Sequence, residues 1–273
     1  MPGKGNADSD SRNILFTQPL RGVDTVDYSN EFYEAQRSKQ LNSSMEIVDI
    51  LCSLFDIKSV VDVGCGSGGF LYEFMRRGII EVLGIDGHWI KDSDIVIPPT
   101  NFARYDITEK FTIPRRFDIA LCLEVGEHLK PENAPILVEN LTRLSEIVVF
   151  SAAIPCQGGT HHVNEQWPEY WCKLFRLHDY DWVDCIRPKI WTSTHVDFVY
   201  KQNTIIYTTH ENKMRIQSSF QFNRQGNSDD SCPLALVHPS LFLSYARPRN
   251  PVFRKAYNLA RSIWSRIKES GEL

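Results

Sequence analysis

One run of ten residues constrains this chain more than any other: Val61-Asp62-Val63-Gly64-Cys65-Gly66-Ser67-Gly68-Gly69-Phe70. The short apolar run before it, Ser59 to Val63, reads as a buried strand. The stretch behind it, Gly68 to Arg77, reads as a helix stopped by Gly78. A glycine-rich turn between strand and helix lets backbone approach a ligand with no Cβ in the way. Open α/β sheets bind their ligands at the carboxyl ends of strands. The turn therefore points to a fold class and to a site at once.

The flanking pattern agrees. A helix is expected from Tyr28, with Leu41, Met45, Val48, Cys52 and Phe55 on one face and Ser43 with Glu46 read as a capping box. Strands are expected at Glu81–Ile85, Phe117–Leu123 and Glu146–Ala152, with a helix over Pro131–Leu144. Alternation of this kind implies a mostly parallel sheet covered on both faces. A later strand pair, Trp182–Ile190 and Thr204–Thr209, is expected to close the sheet.

The chain divides into a polar tail over residues 1–27, a domain over 28–210 and an extension over 211–273. The domain carries an aromatic-rich insertion at about 156–182, with Trp167, Tyr170, Trp171, Phe175, Tyr180 and Trp182. Those rings could stack on a substrate, but their spacing is equally that of a buried helix face. The extension opens with a polar loop at 211–233 and ends in an amphipathic helix. In that helix Asn250 is the N-cap, and Phe253, Tyr257, Ile263, Trp264 and Ile267 share one stripe with basic flanks. Docking on the domain, a homodimer contact and peripheral membrane contact are all open to it.

Composition removes several classes. A net charge of −4 over 273 residues supplies no global cationic field, which counts against a nucleic-acid acceptor. The seven cysteines are odd in number and form no C-x-x-C pair, so neither a disulfide framework nor a zinc site is expected. A polar N-terminus without a signal-like apolar run, and no span-length apolar stretch, lead to the expectation of a cytoplasmic protein.

The glycine turn alone is ambiguous. Gly64, Gly66 and Gly69 satisfy the dinucleotide fingerprint, while Gly64, Gly66 and Gly68 satisfy a D/E-x-G-x-G-x-G form. Asp62 decides between them, because a carboxylate at the strand end suits a cationic amino group and repels a pyrophosphate. In this run the sequence resembles the class I S-adenosylmethionine-dependent methyltransferases. The resemblance covers residues 40–155 well and the rest more loosely, and it extends to Phe117-Asp118-Ile119-Ala120-Leu121-Cys122-Leu123-Glu124-Val125-Gly126-Glu127-His128-Leu129.

That resemblance implies a Rossmann-like, doubly wound, mostly parallel seven-stranded α/β sheet with S-adenosyl-L-methionine as cofactor. Asp62, Gly64, Cys65, Gly66 and Gly68 would hold its methionine side, and Asp86, about 20 residues past the turn, its ribose. Asp106 matches the family acid that reaches the adenine amino group, while Leu123 and Glu124 would line the methyl end.

Methyl transfer from a sulfonium releases a neutral leaving group. The remaining work is positioning, exclusion of water and sometimes deprotonation of the nucleophile. Glu127, His128 and His162 are the candidates, His162 lying in a turn that resembles the G-H-V-N turn of bacterial small-molecule and glycan-cluster methyltransferases. An E-x-x-E-H run like Glu124, Glu127 and His128 holds Mg²⁺ or Mn²⁺ in some relatives, quinone-precursor O-methyltransferases and a small-RNA 3′-end methyltransferase among them. In many others the Glu-His pair orders the loop without metal. The runs Ile186–Trp191 and Tyr200–Asn203 resemble the glycan-cluster group, and their residue types alone assign them no role.

The reading is thus O-methylation of a small-molecule or glycan acceptor. Metal-assisted 2′-O-methylation of RNA and a non-catalytic cofactor-binding scaffold are the alternatives, and an NAD-dependent oxidoreductase is disfavoured by Asp62.

Overall fold

The computed structural model describes residues 30–219 and 231–246. Seven strands, β1 (Ser59–Val63), β2 (Glu81–Asp86), β3 (Phe102–Arg104), β4 (Ile119–Leu123), β5 (Ile147–Ser151), β6 (Tyr180–Val183) and β7 (Ile205–Thr209), form one sheet in the order β3-β2-β1-β4-β5-β7-β6. The first five run parallel, and β7 enters antiparallel between β5 and β6. The order reverses between β1 and β4, so the crevice for a ligand lies at the carboxyl ends of these two strands.

Helices cover both faces, as near-continuous apolar strands require. In β1, β4 and β5, Val61, Val63, Ala120, Cys122, Val148 and Phe150 face one core, built with α3 (Ala134–Leu144) and α4 (Pro168–Arg176). Their neighbours Val60, Ile119, Leu121 and Val149 face the other, built with α1 (Asn30–Leu54), α2 (Gly69–Arg76), α5 (Arg187–Ile190) and α6 (Phe198–Asn203). The division is the period of two that a pleated strand imposes.

The aromatic cluster is mostly core. Trp171, Phe175, Tyr180 and Trp182 are buried, Phe175 stacks on Tyr207 at 4.0 Å between ring centroids, and Trp171 packs on Phe150. Trp167 is the exposed member.

Several local expectations are corrected. The strand expected over Trp182–Ile190 ends at Val183, because Asp184 turns back to hold the Arg187 guanidinium and Pro188 lies in the short helix α5. Ser43 and Glu46 cap nothing: they lie inside α1, where Ser43 accepts the Asp197 N–H and Glu46 the Ser193 hydroxyl. The helix expected over Pro131–Leu144 opens with a 3₁₀ turn at Pro131–Asn133. The loop expected from residue 211 begins instead with α7 (His210–Ser219), whose Ile216 packs into the core and whose Lys213 pairs with Asp181 on β6. The tail over 1–27 and the amphipathic helix expected from Asn250 lie outside the described residues. Among the described residues no helix is long and apolar enough to cross a membrane.

Candidate active site at the strand ends

The glycine turn leaves β1 at Gly64 and enters α2 at Gly69. Gly64 has φ 77°, and a Cβ there would lie 2.4 Å from Cγ2 of Val125, so only glycine passes beneath the turn after β4. At Gly66 φ is 56° and, among the described residues, nothing lies within 4 Å of a Cβ position, so these residues leave the turn open there. Cys65 buries its thiol against Gly84, where it donates to the Gly66 carbonyl at 3.7 Å. Gly68 caps α2 in the left-handed region.

Two carboxylates stand beside the turn. Asp62, near the end of β1, is 3% exposed, and among the described residues nothing donates to its side chain. Burial, with Asp86 beside it, pushes its carboxyl up to about 7. Asp86, ending β2, accepts the Gly66 N–H on one oxygen and the Gly87 N–H on the other, both at 2.7 Å. Asp106 is exposed and caps its own turn by accepting the Thr108 N–H and hydroxyl, which hold its carboxyl below the usual range. Leu123 is buried in the second core.

A second group forms beyond β4 and β5. Glu124 follows β4 in the left-handed region at φ 56°, its N–H held by the Ser151 carbonyl and hydroxyl. For a non-glycine residue that conformation costs about 1 kcal/mol or more, and surrounding contacts must hold it. They are three amides. Asn203 donates to one carboxylate oxygen at 3.0 Å and Gln157 to the other at 2.9 Å, while Gln202 bridges the two amides. Gln202 in turn accepts the His238 N–H, and the buried Arg187 binds the carbonyls of Gln202 and Leu234. The runs Ile186–Trp191 and Tyr200–Asn203 thus fasten residues 234–238 to the Glu124 carboxylate.

One short turn past Glu124, the 3₁₀ helix Gly126–His128 presents Glu127 and His128. A Cβ at Gly126 would meet the Trp171 ring at 2.6 Å, so the aromatic core sets how deep this turn sits. Glu127 is 1% exposed, its Oε2 has no hydrogen-bond partner among the described residues, and burial beside the Glu124 carboxylate pushes its carboxyl up to about 9. Burial lowers the pKa of His128. The backbone carbonyl of Glu127 accepts the N–H groups of Val163 and Asn164, which brings the loop after β5 across the site. His162 then stands edge-on to His128 at 4.9 Å, with Nε2 4.0 Å from Oε1 of Glu127.

Ligand atoms of Glu127, His128 and His162 all lie within 4.8 Å of one another. Glu124 is turned instead toward the amides, and His161, at φ 61° and exposed, is not part of the group. Sequence reasoning missed Gln157, Gln202, Asn203 and Glu165. Gln202 and Asn203 lie in the run singled out by resemblance without a role, Gln157 carries no local signal, and Glu165, an acid three residues after His162, is a readable one.

No protein-family model and no curated protein sequence matches the chain. Solved structures do match. Streptomyces venezuelae DesVI is 13% identical at a TM-score of 0.50, with 69% of this chain and 99% of that one covered. The sugar N-methyltransferase KedS8 from a Streptoalloteichus species is 12% identical at a TM-score of 0.50, over 76% of this chain and 99% of that one. The fold is the Rossmann-like class I methyltransferase fold.

Proposed function

We propose that this chain transfers the methyl group of S-adenosylmethionine to a hydroxyl of a small molecule or glycan. The observation that carries the reading is Asp62: a buried carboxylate with no cationic partner among the described residues, beside a second carboxylate, next to a glycine turn that none of those residues fills. A buried charge without a partner is costly and marks a place for an opposite one. The α-ammonium of the cofactor supplies it. Asp86 keeps lone pairs for both ribose hydroxyls, Gly64, Gly66 and Gly68 offer backbone, and Asp106 has one oxygen left for the adenine amino group.

When bound, the cofactor supplies a methyl group on a sulfonium, and its departure needs no acid. The protein's part is to receive the acceptor and its proton. His162 offers Nε2, and His128, held neutral by burial, stands beside it. A general base so placed contributes roughly 10²–10⁴-fold.

The orphan Oε2 of Glu127, together with two imidazoles within reach, favours a second reading of the same group. Glu127, His128 and His162 fit a divalent cation, and the two nitrogen donors suit Mn²⁺ better than Mg²⁺. Held there, the cation would lower the pKa of the acceptor hydroxyl.

Methyl-labelled cofactor incubated with pools of hydroxylated small molecules and glycans, with and without Mn²⁺, tests both readings. Label is expected in an organic acceptor, with about a hundredfold loss or more in His162→Ala. Label in RNA alone, with steep salt dependence, or cofactor binding without any transfer, would refute the assignment.

A further inference from the structure

We propose that Glu165 is a positioning residue that fixes the ring orientation and tautomer of His162, presenting an unprotonated Nε2 to Glu127 and His128. This rests on the reading of Glu127, His128 and His162 as the working group.

Among the described residues the partners of Glu165 all lie on the loop that carries His162. Its Oε2 accepts the Cys156 N–H at 2.8 Å, and its Oε1 accepts the Gly158 N–H at 2.7 Å. The same Oε1 faces Nδ1 of His162 at 2.9 Å. A carboxylate engaged by backbone donors on both oxygens can only accept from the ring, so the proton sits on Nδ1. The lone pair is then on Nε2, the nitrogen that points at Glu127. Their 4.0 Å separation exceeds a direct hydrogen bond and leaves room for an intervening group.

The rest of the loop holds the ring against that clamp. A Cβ on Gly159 would lie 2.2 Å from Nε2, so the imidazole stands directly on the glycine backbone. Val163 and Asn164, the next two residues, are stapled to the Glu127 carbonyl at 2.9 and 3.0 Å. Cys156 and His161 take left-handed conformations at φ 68° and 61°, and Gly158 does so at 71°. Such a loop persists only where contacts over-determine it, and the Glu165 carboxylate touches two of those turns. Carboxylate-oriented histidines of this kind are how proteins fix a ring before it binds a cation or takes a proton.

The test is nitrogen-15 NMR of histidine-labelled ligand-free protein at pH ~8.5, about two units above the ordinary imidazole pKa. Wild-type His162 is expected to show a protonated Nδ1 and a bare Nε2. Glu165→Gln, which puts an amide N–H against one of the donors, should lose that single tautomer. Its Mn²⁺ affinity, read by electron paramagnetic resonance, should fall roughly 10–100-fold with cofactor affinity within about twofold of wild type. Gly159→Ala, the second variant, leaves Glu165 in place and displaces the ring, so the tautomer should survive while Mn²⁺ binding falls. A wild-type His162 protonated on Nε2, or an unchanged tautomer in Glu165→Gln, would overturn the proposal. If wild type binds no Mn²⁺ yet shows the expected tautomer and Glu165→Gln loses it, the cation reading falls and Glu165 still positions a base.

Discussion

Proton uptake by Asp62 should make cofactor affinity depend on pH. Burial, and Asp86 beside it, raise this carboxyl from 3.8 to about 7 in the ligand-free protein. The α-ammonium pairs only with the ionised form, so binding below that pH must first expel the proton. At pH 5.5 roughly 3% of Asp62 is ionised and at pH 7.5 roughly three quarters, a ratio of about 25 or close to 2 kcal/mol. The window lies below the ligand's own amine titration near ~8. Affinity should thus rise about 20-fold from pH 5.5 to 7.5, with a proton released at the acid end. Titration calorimetry in buffers of different ionisation enthalpy reads both quantities.

In Asp62→Asn the profile should flatten and the charge-assisted contact, about 1.5–3 kcal/mol, should be lost. The same residue affects stability with the opposite sense. Between about pH 4 and 7 the native state keeps a proton that the unfolded chain has given up, so stability falls as pH rises through this window. Relieving that cost, Asp62→Asn should raise the melting temperature of the ligand-free protein at pH 8 while weakening the cofactor. Affinity constant within twofold from pH 5.5 to 7.5, with no proton released, would refute the reasoning.

Gly64→Ala, which drives a Cβ to 2.4 Å from Val125, should cost about 1–3 kcal/mol in urea unfolding and abolish cofactor binding. Gly66→Ala meets open space but must hold the left-handed φ of 56°, so it should cost about 1–2 kcal/mol in unfolding and still lose the cofactor. Arg187→Met strips the partner from Asp184 and from the Gln202 and Leu234 carbonyls. It should cost about 3–5 kcal/mol and speed hydrogen exchange in residues 231–238; unchanged exchange there would show that Arg187 does not hold that segment.

Much of the sheet is legible because its signals are local. The glycine turn, the strand ends at Asp62 and Asp86 and the stop at Gly78 each sit within a few residues of the feature they determine, and each is found in place. What failed was decided at long range. Ser43 and Glu46 look like a cap until the 193–197 segment, about 150 residues later, lies against them. The apolar stretch after Trp182 reads as one strand, but Asp184 and Arg187 pair across a turn that no periodicity reveals. In the site, Glu127 and His128 are legible from their place just after a strand and His162 from the turn it resembles, and the loop after β5 brings the three together. The amides on Glu124 come from 33 and 79 residues away, and nothing in their own neighbourhood announces that contact.

The most direct test of the account is a calorimetric titration with S-adenosylmethionine of the wild-type protein and Asp86→Ala, with NADH as the control ligand. Saturable binding, weakened about tenfold or ~1.4 kcal/mol by Asp86→Ala and absent for NADH, is the expected result. No binding of S-adenosylmethionine, or binding of NADH in its place, would contradict it.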